Sequence, residues 1–491
     1  MTEHEKRIAK AEDYLRGVAP AVAIAPHRQR WHFMPPAGWM NDPNGLIHFK
    51  GHYHLFYQFN PYAAVWGAMH WGHAVSRDLL HWKHMPIALA PSESYDNHER
   101  GGCFSGSAVD DGGRLALMYT ATTNHGDGFV QTQCVAFSDD GVRFQKLESN
   151  PVIGEPPAEG SRDFRDPKVW RHGAHWYVVI GSSRGGQGKA LLYRSPDLRQ
   201  WDYVGVLAES KNDLGSMWEC PDCFPLGDRH VLMFSPMHLG ERKTVYLVGD
   251  LDYATGAFRR ETIGEVDWGF DYYAPQSFVD DRGRRIIIGW QNAWDWMPWW
   301  KDFGPTHAEG WCGSLAMPRT VELAADNRLV FRPVAEMAGL RRNPFSLAGS
   351  THGPEGRRLE AGGSISYEIE VEWDRAATSA RTFGLKLRSS RKHETLLFFD
   401  SSSRELVFDR SRSGFHTDGI RRCRAEMRGD TIELHAFVDT CSIEAFTDGG
   451  RTAMSNNIFT NNDDTGVSLF CGGGKAKVKG VRCWELDRLT D

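Results

Sequence analysis

A turn motif that returns at intervals of roughly 60 residues limits this chain more than anything else in it. It reads Ser76-Arg77-Asp78-Leu79-Leu80-His81-Trp82, then Ser138-Asp139-Asp140-Gly141-Val142-Arg143-Phe144, then Ser195-Pro196-Asp197-Leu198-Arg199-Gln200-Trp201. A looser copy follows as Asp250-Leu251-Asp252 with Phe258. Each copy is a polar turn followed by an aromatic residue that opens a strand. Interleaved with it, a strand–turn–strand pattern occupies residues 41–58, 104–120, 165–181, 219–236 and 274–290. Alternations such as His52-Tyr53-His54-Leu55-Phe56-Tyr57 give these segments their strand character. Four short strands in roughly 60 residues make one blade of a β-propeller. Five such units fill residues 31–335. A β-sandwich with coincidental spacing is the weaker reading of five matching units.

The flanks differ. Residues 1–30 form an N-terminal segment in which 5–16 predicts one short amphipathic helix, rich in good formers and free of breakers. Residues 336–491 hold the end of a short helix or linker over 332–342, then strands at 366–372, 396–399, 405–408 and 432–438 between Gly, Asp and Asn turns. That spacing predicts an antiparallel sandwich. The expected fold is therefore all-β: a five-bladed β-propeller followed by a C-terminal β-sandwich, with a short N-terminal helix.

In a propeller the first strand of each blade lines the central channel, so equivalent positions of successive blades face one another. The blade starts carry Asp42, Ser105, Asp166, Glu219 and the 271–273 segment. Taken singly, Asp42 in Asp42-Pro43-Asn44-Gly45 reads as a turn residue, and Asp166 as the ion-pair partner of Arg165 or Arg162. Glu219, between Trp218 and Cys220 on entry to a strand, is an unusual place for a charge that normally stays solvated. Burial beside Trp218 would raise its pKa, as a general acid requires. Together, at matching blade positions, the three carboxylates suit glycoside hydrolysis, which needs two carboxyl groups flanking the scissile bond.

Other chemistries find less support. A net charge of −6 offers no counterion-release affinity for nucleic acid. No apolar run approaches the ~20 residues of a membrane span. Nine scattered cysteines argue against a disulfide framework, and Cys220-Pro221-Asp222-Cys223 is a lone pair without the second that zinc needs. The glycine-rich stretch at 184–189 reads as a hairpin turn rather than a phosphate loop. No Gly-x-Ser-x-Gly elbow appears. The N-terminus lacks the apolar core of a signal peptide, so the expected location is cytoplasmic.

The combination of Trp39-Met40-Asn41-Asp42-Pro43-Asn44-Gly45, Phe104-Ser105-Gly106-Ser107, Phe164-Arg165-Asp166-Pro167 and Trp218-Glu219-Cys220-Pro221-Asp222 resembles glycoside hydrolase family thirty-two. So do His70-Trp71-Gly72-His73-Ala74, Asp271-Tyr272-Tyr273-Ala274-Pro275-Gln276, Gly289-Trp290 and Cys441-Ser442-Ile443-Glu444-Ala445-Phe446. The resemblance runs from about residue 27 to 490 and is strongest to the branch of sucrose-6-phosphate hydrolases and sucrases (invertases). It implies a five-bladed propeller followed by a sandwich, in agreement with the repeat count. It also implies a retaining β-fructofuranosidase that cleaves sucrose, sucrose 6-phosphate or short fructo-oligosaccharides through a fructosyl-aspartate intermediate. Asp42 would be the nucleophile, Glu219 the acid/base, and Asp166 the carboxylate that binds fructose hydroxyls. Asn41, Gln58, Trp66, Phe104, Ser105, Arg165, Asp271 and Trp290 would line the fructosyl pocket. Neither a metal nor an organic cofactor is implied. The implied partner is a small sugar, with no nucleic acid and no membrane, and the oligomeric state stays open. The alternative is a fructosyltransferase, which passes the same intermediate to a sugar acceptor. A sugar-binding propeller without turnover would be expected to lack one of the carboxylates. The chain departs from the family pattern at Ala68 and Cys223, and its Trp-rich stretch 294–311 leaves the leaving-group side undetermined. Arg100, Lys301 and His307 are the basic candidates near the expected rim for a substrate phosphate, and each reads more simply as a solvated surface charge.

Overall fold

The computed structural model describes every residue except 125, 127, 298–303, 361–362 and 490–491. Five antiparallel sheets are arranged so that the first strand of each is innermost: Gly38–Phe49, Gly102–Asp110, Phe164–His172, Met217–Leu226 and Tyr273–Val279. Successive inner strands touch, and the last touches the first, which closes the ring. A short strand, Trp311–Cys312, adds to the first blade in parallel, against Gly38 and Trp39, and latches a late segment of the propeller to its beginning.

The recurring Ser-x-Asp motif is the turn between the third and fourth strands of the first three blades. Each Asp carboxylate accepts two backbone N–H bonds in an Asx turn. Asp78 takes those of Leu80 (3.0 Å) and His81 (2.8 Å), and Asp140 those of Val142 (2.9 Å) and Arg143 (2.8 Å). Asp197 takes those of Arg199 (2.9 Å) and Gln200 (3.0 Å). The residue after the Asp adopts a left-handed backbone or leads into one: Leu79, Gly141 and Leu198 have φ of 70°, 74° and 65°. Asp252 does the same work in the fourth blade, accepting from Ala254 N–H at 2.9 Å.

The N-terminal helix spans Glu3–Ala23, well past the expected end at residue 16. Thr2 and Glu5 form a capping box at its start, and Pro20 lies inside it. Docking on the first blade offsets the hydrogen bond that Pro20 cannot donate. Buried His4 accepts the N–H of Ala90 at 3.1 Å, Glu12 accepts that of Ile87 at 3.1 Å, and Val22 packs with Trp311 and Phe459. Tertiary packing, not local propensity, sets the length of this helix.

The C-terminal region is two six-stranded sheets packed face to face around Val371, Trp373, Leu385, Phe399 and Leu434. Its junction with the propeller is polar and buried. Arg319 of the fifth blade reaches Asp267 at 2.9 Å and Glu444 of the sandwich at 2.6 Å, all fully buried. His32 stands between Asp439 (2.8 Å) and Glu444 (3.0 Å). Burial opposes ionisation of Glu444, yet Arg319 and His32 hold its carboxyl below the usual range. Arg319→Ala would strand two buried carboxylates and is expected to cost about 3–5 kcal/mol. Chemical denaturation reads this directly, and an unchanged midpoint would contradict it.

Candidate active site

All five inner strands are interrupted by a β-bulge at the same level, between Met40 and Pro43, Phe104 and Gly106, Arg165 and Lys168, Glu219 and Asp222, and Tyr273 and Gln276. The sequences there line up as Asn41-Asp42-Pro43, Phe104-Ser105-Gly106, Arg165-Asp166-Pro167, Glu219-Cys220-Pro221 and Tyr273-Ala274-Pro275. Proline suits a bulge because it has no N–H to give the ladder. In the second blade the position must be glycine, since a Cβ on Gly106 would lie 2.0 Å from the carbonyl oxygen of Met118. Three middle residues are held in the left-handed region, Asp166 at φ 67°, Cys220 at 48° and Ala274 at 48°, a strain that clusters at functional sites.

This register corrects one expectation. Level with Asp42, Ser105 and Asp166 stand Cys220 and Ala274. Glu219 sits one residue earlier, level with Asn41, Phe104, Arg165 and Tyr273. A bulge re-aims consecutive side chains, so neighbours such as Asn41 and Asp42, or Arg165 and Asp166, reach the channel together.

The channel mouth opens into a cavity of about 990 Å³ lined by Asn41, Asp42, Gln58, Trp66, Phe104, Ser105, Arg165, Asp166 and Glu219. Tyr273 joins them, but Asp271 and Trp290 do not reach the wall. Asp271 is fully buried and faces the sandwich, where Arg410 Nη1 donates to it at 3.0 Å and Asn457 N–H at 2.7 Å. Trp290 is also fully buried and packs behind the wall against Trp39 and Trp294, at ring-centre distances of 5.9 and 4.6 Å. Of the basic rim candidates, Arg100 lines the cavity, His307 lies outside it in the short helix Gly304–Ala308, and Lys301 falls outside the described residues. Trp299 and Trp300 also fall outside them.

Each carboxyl group is held differently. Asp42 Oδ2 accepts from Ser105 Oγ at 2.5 Å and from the Cys220 thiol at 3.4 Å, while Oδ1 accepts from Asn41 Nδ2 at 3.1 Å. Asn41 is itself fixed by the indole N–H of Trp39 at 2.8 Å. Asp166 Oδ2 accepts the backbone N–H of Cys220 at 2.9 Å. Glu219 Oε1 receives Arg165 Nε at 3.1 Å and Nη2 at 2.9 Å, and its Oε2 receives the Tyr273 hydroxyl at 2.5 Å. The expected burial against Trp218 is not what surrounds Glu219. That indole turns the other way into the blade core, stacks on Phe234 at 3.8 Å and donates to the Leu214 carbonyl at 2.7 Å.

Residues 32–333 match the Glycosyl hydrolases family 32 N-terminal domain, and residues 336–485 match the Glycosyl hydrolases family 32 C-terminal domain. The chain belongs to glycosyl hydrolase family 32. This family 32 chain is 38% identical to the sucrose-6-phosphate hydrolase of Zymomonas mobilis, over 98% of its own length and 96% of the relative's. Its fold matches the GH32 β-fructofuranosidase of Bombyx mori with a TM-score of 0.83 at 34% identity, covering 99% of each chain. The match to the sucrose-6-phosphate hydrolase from Lactobacillus gasseri has a TM-score of 0.86 at 26% identity, over 98% of this chain and 97% of that one.

Charge in the family 32 cavity is shaped mainly by burial. Desolvation pushes the Asp42 carboxyl up to about 6, against the donors Ser105, Asn41 and Cys220, and the neighbouring Glu219 charge adds to the rise. Asp166 is pushed up to about 7, again chiefly by burial, with Arg165 opposing and the Glu219 and Asp42 charges adding. Burial and the Glu219 charge raise the Tyr273 hydroxyl well above its usual range, so it stays a donor.

Asp166 therefore binds a proton more readily in the folded chain than in the unfolded one, whose carboxyl titrates near ~3.9. Stability falls as pH rises through that window to about 7. Asp166→Asn removes the buried charge. It is expected to stabilise the chain by about 1–2 kcal/mol at neutral to mildly alkaline pH, and less in acid, while lowering activity. Thermal midpoints across pH test this; a shift independent of pH would contradict a burial-driven cause.

Proposed function

We infer that this family 32 chain is a retaining β-fructofuranosidase hydrolysing sucrose-type substrates. The observation that carries the reading is a pair of carboxyl groups from opposite parts of the ring, Asp42 and Glu219, meeting in one cavity with different partners. Asp42 is buried and ringed by uncharged donors, which suits a nucleophile that must form and release an ester. Arg165 and Tyr273 hold Glu219 in one orientation, which suits a group that must hand over a proton and later take one back.

In the first half-reaction Glu219 protonates the glycosidic oxygen while Asp42 attacks the fructose anomeric carbon. An oxocarbenium-like transition state collapses to a fructosyl ester on Asp42. Asp166, beside both groups, accepts hydrogen bonds from fructose hydroxyls, and its carboxylate steadies the positive charge that develops on the ring. Asn41 and Gln58 are pre-set polar contacts: Gln58 Nε2 is tied to the Cys103 carbonyl at 2.9 Å. Trp66 and Phe104, edge to face at 5.9 Å, give the sugar an apolar side. In the second half-reaction Glu219 takes a proton from water, which attacks the ester and releases fructose with retained configuration.

The names of the similar proteins favour water over a sugar as acceptor: two are sucrose-6-phosphate hydrolases and one a β-fructofuranosidase, of which a mutant is solved in complex with sucrose. The nine cysteines are all buried, with no disulfide among the described residues, which fits a reducing compartment such as the cytoplasm. Hexose release by the purified chain tests the function, with sucrose and sucrose 6-phosphate in parallel. Cleavage of sucrose into fructose and glucose, of the phosphate ester into fructose and glucose 6-phosphate, or both, is expected. Oligosaccharide accumulation at high sucrose would favour transfer, and no product from either substrate would overturn the reading.

A further inference from the structure

One wall of the cavity is held from behind by the sandwich. Two loops build it: residues 239–243, between the second and third strands of the fourth blade, and residues 294–297, which follow the second strand of the fifth. Leu239, Lys243, Trp294 and Asp295 of these loops face the cavity. The sandwich grips both through two buried arginines on neighbouring strands. Arg421, on the strand Ile420–Arg424, is 5% exposed and reaches Glu241 at 2.9 Å and Asp295 at 3.9 Å. Asp295 in turn pairs with Lys243. Arg410, on Glu405–Arg412, is 1% exposed, donates to Asp271 and lies over the Trp296 ring at 4.5 Å. Asp271 accepts the Trp296 indole N–H at 2.9 Å. Both guanidinium groups pack on Phe270, at 3.7 and 4.6 Å, a ring the propeller inserts into the sandwich core.

The position of this wall relative to the reacting groups is informative. Fructose must sit over Asp42 and Asp166, so the remainder of the substrate leaves the ring beside Glu219, the group that protonates its oxygen. Glu219 pairs across its strand with Ser235, and Trp218 and Met217 pair with Pro236 and Met237, so the chain runs from there directly into the 239–243 loop. The carboxyl groups themselves hang on inner strands and bulges and touch neither arginine. Apolar contacts would join two domains without the desolvation cost of two guanidinium groups, so what the arginines add is a fixed geometry.

We propose that Arg421 and Arg410 are positioning residues for the leaving-group side of the reaction, holding the wall against which the non-fructosyl part of the substrate lies. The sandwich thereby sets which β-fructofuranosides are cleaved, acting through Asp295–Lys243 and Asp271–Trp296. This rests on the β-fructofuranosidase reading.

The test compares sucrose with methyl β-fructofuranoside, whose leaving group is too small to touch the wall. Arg421→Ala is expected to raise KM for sucrose about tenfold with kcat little changed, the pattern of lost binding that is uniform in ground and transition states. For the methyl fructoside, kcat/KM should stay within about twofold of wild type, and Arg421→Lys should recover part of the sucrose KM. Glu241→Gln, at an exposed position, should move KM in the same direction without risk to folding. Circular dichroism at the assay temperature confirms that each variant is folded. Equal losses on both substrates, or no change on either, would overturn the proposal while the wild type still cleaves sucrose. A wild type inactive on sucrose, sucrose 6-phosphate and the methyl fructoside would overturn the β-fructofuranosidase reading and this proposal with it.

Discussion

Asp42→Asn is expected to lower kcat on sucrose by about 10⁴–10⁶-fold, the range for removal of a covalent nucleophile from an otherwise intact site. The amide has the same shape and still meets Ser105 and Asn41, so the fold should be untouched. Removing a buried charge should even raise the thermal midpoint, because burial already pushes the Asp42 carboxyl up to about 6. Loss of activity together with gained stability separates this outcome from simple unfolding. The same environment gives the wild type its acid limb. The nucleophile and the Asp166 carboxylate must both be ionised, so kcat/KM in the free enzyme should rise with pH through the range of about 6 to about 7. An Asp42→Asn variant that retains more than about one hundredth of wild-type kcat would contradict the nucleophile assignment.

Glu219→Gln carries the second large effect and a different signature. On sucrose, kcat should fall by about 10²–10⁴-fold, the usual contribution of a positioned acid–base group. On β-fructosyl fluoride, whose leaving group needs no proton, formation of the ester should be little slowed, while its hydrolysis stalls for want of a base. A burst of fluoride followed by slow turnover is the expected trace, and azide should restore turnover by attacking the ester without base assistance. Arg165 would still donate to the amide oxygen, and the Tyr273 hydroxyl can turn to accept from the amide nitrogen, so the cavity keeps its shape. Equal slowing on sucrose and on the fluoride would argue against Glu219 as the acid.

The propeller was legible because its signals are local. Ser76-x-Asp78 and its later copies are Asx turns, and an Asx turn needs only its own few residues to form. The five hairpins were legible for the same reason. The carboxyl groups of the cavity could be found as well, but not their register. Aligning blades by acidic residues put Glu219 level with Asp42, whereas the shared X-Pro step, with glycine in the second blade, places Cys220 there. That proline signal was in the sequence and marks the bulge. Asp271 and Trp290 could not have been placed in the same way. Which face they turn to depends on how the sandwich docks, and Arg410 and Asn457, the sandwich partners of Asp271, lie more than a hundred residues further along. The N-terminal helix runs through Pro20 for a similar reason, because the first blade and the 311 segment hold it.

The account stands most directly on a covalent bond. Glu219→Gln mixed with β-fructosyl fluoride, quenched in acid and digested, should give one peptide heavier by a single fructosyl unit, with the modification on Asp42. An unmodified Asp42 in protein that has released fluoride, or a fructosyl group on any other residue, would contradict the mechanism.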